Sequence, residues 1–171
     1  MPPIAALIFL PSVLVICLWV AWSDMKFMKI PNKAVLALGA VYVVFGAVFG
    51  GFGLMDWPAY VWGLVLGAGV LVLGFVVTVA GLIGAGDAKF AAVMAPFFWG
   101  APVNFALALF AACMLAAFAA HRLVKYTPLR RPVADWASWT HKDFPMGLAL
   151  TSTLLIHLTQ RAWPLFAPVL A

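Results

Sequence analysis

The chain has 171 residues, of which 67% are hydrophobic and only 9% are charged. A soluble domain averages about 25% charged residues, so this composition excludes an aqueous fold and indicates a protein whose solvent is lipid. The formal net charge of +5 does not indicate nucleic-acid binding, because the basic residues lie between apolar segments rather than along one helix face.

Three apolar segments of membrane-spanning length occupy the first half of the chain. Residues 4–22 form the first, which a short basic loop follows, and residues 34–55 form the second. Residues 59–82 form the third, and a glycine-rich turn, Gly84-Ala85-Gly86-Asp87, follows it. Each segment is close to the roughly 20 residues that a helix needs to cross the hydrocarbon core.

The next apolar stretch, residues 89–120, is too long for one comfortable span. Two prolines and a glycine divide it, which predicts a short span over residues 88–99 and a full one over 103–120. A polar loop over residues 121–143 follows, and the last span begins near Met146. The sequence therefore predicts about six transmembrane helices.

The basic residues orient this bundle. With six spans, the loops after the first, third and fifth share one side of the membrane, and nearly all the cations fall there. These cations are Lys26, Lys29, Lys33, Lys89, Arg122, Lys125, Arg130, Arg131 and Lys142. The positive-inside rule puts those loops in the cytoplasm. The prediction is an all-α, polytopic membrane helix bundle, one membrane-embedded domain over residues 1–171, with both termini extracytoplasmic.

The acidic residues are few, five aspartates and no glutamate. Asp56 in an outer turn and Asp135 in the large loop are expected to be solvated. Asp143, next to Lys142, is expected to cap the last helix or to form a local ion pair. Asp24 and Asp87 differ, because both lie at the cytoplasmic ends of predicted spans, where a carboxylate is costly and needs a reason.

A helix bundle can bring these two helix ends together. Two carboxyls a few ångströms apart do not both ionise easily, so one keeps a proton while the other is charged. Such a pair can activate a water molecule for attack on a peptide carbonyl. The structural alternatives stay open at this point: Asp24 as a helix cap or interfacial anchor, and Asp87 as the N-cap of the fourth span.

Other chemistry is not indicated by the sequence. The three histidines, His121, His141 and His157, have neither triad nor metal spacing. Cys17 and Cys113 both fall inside apolar segments and are expected to be small core residues. Neither a metal nor another cofactor is predicted.

Two motifs carry a family resemblance. Asp24 is followed by Ile30-Pro31-Asn32, and Gly84-Ala85-Gly86-Asp87 is followed by Ala88-Lys89. Together they resemble the type IV prepilin peptidases, which are GxGD intramembrane aspartyl peptidases, in the small single-domain form of Flp/Tad-type pilus systems. A third element, Phe144-Pro145-Met146-Gly147, resembles the family segment that opens the last helix. The resemblance covers about residues 10–160.

The resemblance implies a role for each matching residue. It makes Asp24 and Asp87 the catalytic pair of an aspartic-type endopeptidase. The residues that shape the site or bind substrate are Gly84, Gly86, Lys89, Ile30, Pro31, Asn32, Pro145 and Gly147. It also implies a membrane-tethered prepilin substrate, membrane lipids as neighbours, and the bacterial cytoplasmic membrane as the location.

The residues themselves agree in one detail, since Pro31 suits a helix start and Asn32 is expected to be the N-cap of the second span. The larger family members carry a cytoplasmic segment with paired cysteines that is linked to N-methylation. This chain has no Cys-x-x-Cys, so methyltransferase activity is not expected. Two other function classes stay open: a transporter or channel component, and a non-enzymatic subunit of a pilus or secretion assembly. Oligomeric state stays open too.

Overall fold

A computed structural model describes residues 1–167. Helices make up 81% of it, and its described residues contain no strand. The helices are α1 (Pro3–Phe27), α2 (Asn32–Gly51), α3 (Trp57–Val79), α4 (Ala85–Met94), α5 (Val103–Lys125) and α6 (Met146–Ala162). Short 3₁₀ segments lie at Ala95–Phe98, Pro128–Val133, Ala137–Trp139 and Trp163–Leu165. The predicted all-α membrane bundle is confirmed.

Four of these helices have the length and hydropathy to cross a membrane. They are α1, α2, α3 and α5, with 25, 20, 23 and 23 residues. The other two are shorter, 10 residues for α4 and 17 for α6. The chain is thus a multi-pass membrane protein, while six full crossings and the side on which the termini lie stay predictions.

Two predicted helix ends fall short of the true ones, and both for the same reason. α1 continues to Phe27 rather than residue 22, and α5 continues to Lys125 rather than residue 120. Hydropathy falls where charged residues begin, but cations in the last turn of a helix are favoured by its dipole and do not end it. α1 ends at Phe27: the N–H of its C-cap, Met28, still donates to the Asp24 carbonyl, but the left-handed φ of 52° at Met28 turns the chain out of the helix.

The centre of the bundle is α1, which packs against α6 on one side and α2 on the other. α5 covers the far side of α6, and α4 lies against α2 and α3. An aromatic cluster fills the half of the bundle near the start of α1. The Phe9 ring centroid lies 5.1 Å from those of Phe49 and Phe97, and Tyr42 lies 5.0 Å from Phe97. This aromatic cluster therefore lies away from Asp24, toward the other end of the bundle, while the buried apolar core continues along α1 as far as Val20.

Two pairs of glycines four residues apart, Gly46 and Gly50 on α2 and Gly63 and Gly67 on α3, lie at helix contacts. Cys17 and Cys113 are free and buried. On α3, a Cβ added at Gly67 would lie 3.0 Å from the Ala92 carbonyl oxygen and 3.0 Å from Pro96 Cγ. These glycines let neighbouring backbones approach closely, as helix packing in lipid requires.

This packing predicts opposite effects for one substitution at two sites on α3. Gly67→Ala should lower the free energy of unfolding by about 1–3 kcal/mol, the usual cost of overpacking. Gly69→Ala is the matched control, because an added Cβ there meets nothing within 4 Å. It should be neutral or stabilising by up to about 1 kcal/mol, since alanine favours helix. Thermal unfolding in detergent micelles measures both, and equal shifts would contradict the packing.

Candidate active site

Asp24 lies in the last turn of α1 and is only 5% exposed. Its Oδ2 accepts a hydrogen bond of 2.7 Å from the backbone N–H of Gly147, in the first turn of α6. A free N–H is available there because the first four amides of a helix have no intrahelical acceptor. The buried carboxyl therefore has a backbone donor, and the bond joins the polar ends of α1 and α6.

Gly147 can make this contact because it has no side chain. A Cβ at this position would lie 2.8 Å from Asp24 Oδ2 and 3.0 Å from Asp24 Cβ. Pro145 is the N-cap of α6, with φ −68°, and its side chain is fully buried. Gly147 of the Pro-x-Gly element thus contacts the Asp24 carboxyl, and Pro145 begins the helix that carries Gly147.

Asp87 is the third residue of α4, within its first turn. The predicted glycine turn is misplaced by a few residues, because α4 already begins at Ala85 and Gly84 is its N-cap. The alternative that Asp87 is the N-cap of the fourth span is therefore wrong. Its carboxyl lies over Gly84, where an added Cβ would come within 2.7 Å of Asp87 Oδ2. A negative charge in the first turn is favoured by the helix dipole.

The two aspartates open into one cavity. Its volume is about 690 Å³, and its walls include Asp24, Met28, Gly84, Asp87 and Phe144. A second hollow of about 330 Å³ lies beside it and is lined again by both aspartates. Residues 63 positions apart in the chain are thus brought to the same end of the bundle.

Burial, and to a smaller extent the nearby charge of Asp24, together raise the pKa of the Asp87 carboxyl to about 6. Both effects disfavour the ionised form: the first removes water, and the second places like charges together. Asp87 can therefore hold a proton at a pH where an ordinary aspartate is charged.

Asn32, Lys89, Ile30 and Gly86 form the rim of the site. The prediction that Asn32 is the N-cap of α2 is wrong. Pro31 takes that position, with φ −67°, and Asn32 is the first residue of the helix. The Asn32 side chain instead accepts a hydrogen bond of 3.5 Å from Lys89 Nζ, which ties α2 to α4. A Cβ at Gly86 would lie 3.3 Å from Ile30 Cβ, so glycine permits this close approach.

Two residues of the cavity wall, His141 and Asp143, were not predicted from the sequence to belong to the site. Asp143 does not cap α6, whose N-cap is Pro145, but it does have a local partner, because its Oδ2 lies 3.7 Å from His141 Nδ1. The loop that carries them is anchored by Trp139, which is buried and whose Nε1 donates to the Val133 carbonyl at 2.7 Å. No spacing in the sequence signals this arrangement, because a loop of 3₁₀ turns determines it.

Within residues 1–167, no group of three or more His, Cys, Asp or Glu side chains is arranged to hold a metal ion. The chemistry that the cavity supports with its own residues is proton transfer between carboxyls and a water molecule.

The coupling of the two carboxyls predicts a titration. The protonated C=O stretch of Asp87, identified in infrared difference spectra by its loss in Asp87→Asn, should titrate near pH 6. Asp24→Asn removes the neighbouring negative charge and should lower this midpoint while leaving it above 3.8, the ordinary value. Asp135→Asn serves as the control and should not move it. A midpoint that Asp24→Asn leaves unchanged would show that the two carboxyls do not interact.

Comparison with known proteins identifies the family. The model of the type IV leader peptidase family matches residues 11–121, which is more than half of the chain and includes both aspartates of the cavity. Pro145 and Gly147 lie beyond the matched region. No curated protein and no solved structure matches the chain significantly. Because the match covers more than half of the chain, the chain belongs to the type IV leader peptidase family.

Proposed function

We propose that the protein is a membrane aspartyl endopeptidase that removes the leader from type IV, Flp-like pilin precursors. The observation that carries the proposal is the shared cavity of Asp24 and Asp87, which lies at the end of the bundle where α1 ends and α4 begins. Family membership makes peptidase activity the chemistry to expect of such a carboxyl pair.

In the proposed reaction, Asp24 is the base and Asp87 the acid. Oδ2 of Asp24 accepts a hydrogen bond from the Gly147 N–H, and a donor of this kind stabilises the ionised form of a carboxyl. Asp87, whose pKa is raised to about 6, supplies the proton. A water molecule attacks the peptide carbonyl, gives a proton to Asp24, and the carbonyl oxygen takes the proton of Asp87.

The resulting tetrahedral intermediate then collapses. The C–N bond breaks, the leaving amine takes the proton held by Asp24, and Asp87 recovers its proton from the hydroxyl as the carboxylic acid forms. The pair ends in its starting state, so no covalent enzyme intermediate is required. The proposed activity is proteolysis alone, because the chain lacks the Cys-x-x-Cys that accompanies methylation in larger family members.

We further infer that the cavity faces the cytoplasm of a bacterial cell. The distribution of charge supports this orientation, because Lys26, Lys29 and Lys89 lie at the aspartate end of the bundle. A concave surface lined by Lys125, Tyr126, Thr127, Pro128, Arg130 and Arg131 follows the end of α5. Cytoplasmic loops carry this excess of cations, which also suits anionic lipid headgroups.

The first test is the removal of either carboxylate. Asp24→Asn and Asp87→Asn should each lower precursor processing by at least about a hundredfold, because general acid–base catalysis typically contributes about 10²–10⁴. Processing is measured as a mobility shift when the protein is co-expressed with a pilin-type precursor, and the amount of protein in the membrane is measured alongside.

The matched controls are Asp56→Asn and Asp135→Asn, the same substitution at aspartates that do not line the cavity. They should process the precursor at the native rate. Normal cleavage by Asp24→Asn or Asp87→Asn would remove that residue from the mechanism.

A second test concerns the bond that holds Asp24. Gly147→Ala introduces a Cβ where only 2.8 Å separates it from Asp24 Oδ2, so the carboxyl must move away from its donor. A hydrogen bond to a charged group is worth about 1.5–3 kcal/mol, so the turnover rate should fall roughly 10- to 100-fold. Gly69→Ala, which has open space around it, should leave turnover unchanged. Native turnover in Gly147→Ala would mean that the bond does not position Asp24.

A further inference from the structure

A second concave surface, apolar and open to the lipid, lies between α3 and α5. Its volume is about 300 Å³, with Leu66 and Val70 of α3 on one side and Leu107 and Phe110 of α5 on the other. Residues of α4, the Ala95–Phe98 segment and α6 form its floor. We call this surface the α3/α5 groove.

The groove is built to admit a helix rather than only lipid chains. Its lining includes four alanines, Ala91, Ala95, Ala101 and Ala106. Small residues let the backbone of a second helix approach closely, which is how helices associate in a membrane. The flanking helices are also the least covered of the long ones: 11% of the spanning window is buried in α3 and α5, against 39% in α1 and α2.

The groove and the aspartate cavity share one wall. On α5, Val103, Leu107 and Phe110 line the groove, whereas Met114 and Phe118 line the cavity. These residues follow each other at spacings of three and four, so they form one stripe on one face of α5. The stripe runs for about 22 Å, at 1.5 Å per residue.

We propose that the α3/α5 groove binds the apolar helix of the membrane-tethered substrate and guides the bond to be cut to Asp24 and Asp87. This inference rests on the proposed function. A membrane helix of about 20 residues is roughly 30 Å long, so it can lie along the whole stripe while its leader end reaches the cavity. The groove holds a row of side chains rather than an entire helix, so the other face of the substrate stays in lipid.

Site-specific photo-cross-linking tests whether the α3/α5 groove contacts the apolar helix of the substrate. A benzophenone amino acid replaces Leu107 or Val70, in an Asp24→Asn background that leaves the precursor uncut. The probe is a precursor with a basic leader and an apolar helix of about 20 residues. Matched controls carry the same label at Ala112 of α5 and Val72 of α3, which are exposed but lie outside the groove. We expect several-fold more adduct with the precursor helix from the two groove positions.

Any of three results would overturn the proposal that the α3/α5 groove binds the substrate helix. The first is equal labelling at all four positions, and the second is adducts between two copies of the enzyme at the groove positions. The third is the absence of a precursor adduct at the groove although the native enzyme processes that precursor in the same membranes. The proposed function fails differently. If the groove positions gave specific adducts with a precursor that the native enzyme leaves uncut, the α3/α5 groove would still be a helix-binding surface, but the proposed peptidase activity would be contradicted.

Discussion

The hydrogen bond between the Gly147 amide and the Asp24 carboxyl is the contact on which the site depends. It is 2.7 Å long and joins residues 123 positions apart, at the point where the two most closely associated helices, α1 and α6, reach the polar end of the bundle. Without it, Asp24 would be a carboxyl at the edge of a membrane with its hydration removed and no donor in exchange, which is a costly state. The absence of a side chain at Gly147 is what allows the donor to come so close.

The packing of the bundle changes along its length. The aromatic cluster around Phe9 and Phe97 fills the half near the start of α1, and it keeps the helices in close contact there. At the other end, the helices separate around a cavity of about 690 Å³ whose walls carry Asp24, Asp87, His141 and Asp143. This open end allows the carboxyls to be partly dehydrated without being closed off from a substrate. The raised pKa of Asp87 is a direct consequence of that partial dehydration.

Much of this could be predicted from the amino-acid sequence, because hydropathy and the rarity of acids are strong signals in a membrane protein. These two signals predict the helical class and the approximate spans. They also favour Asp24 and Asp87 over the other three aspartates as site candidates. What could not be predicted depends on tertiary contacts. Asn32 has the side chain of an N-cap, but its oxygen is taken by Lys89 of α4. Asp87 was expected in a turn, but Gly84 caps the helix three residues earlier. His141 and Asp143 reach the cavity only because Trp139 anchors their loop.

The central claim is that two acid side chains, one from α1 and one from α4, meet at one end of the bundle. Cross-linking measures this most directly. Cys17 and Cys113 are first replaced by alanine, a protease site is inserted between α2 and α3, and cysteines are introduced at positions 24 and 87. A short bis-maleimide applied to membranes should hold the two proteolytic fragments together. The pair at positions 24 and 56 is the control, because residue 56 precedes α3 at the opposite end of the bundle. Fragments that separate as readily for 24 and 87 as for the control pair would contradict the account.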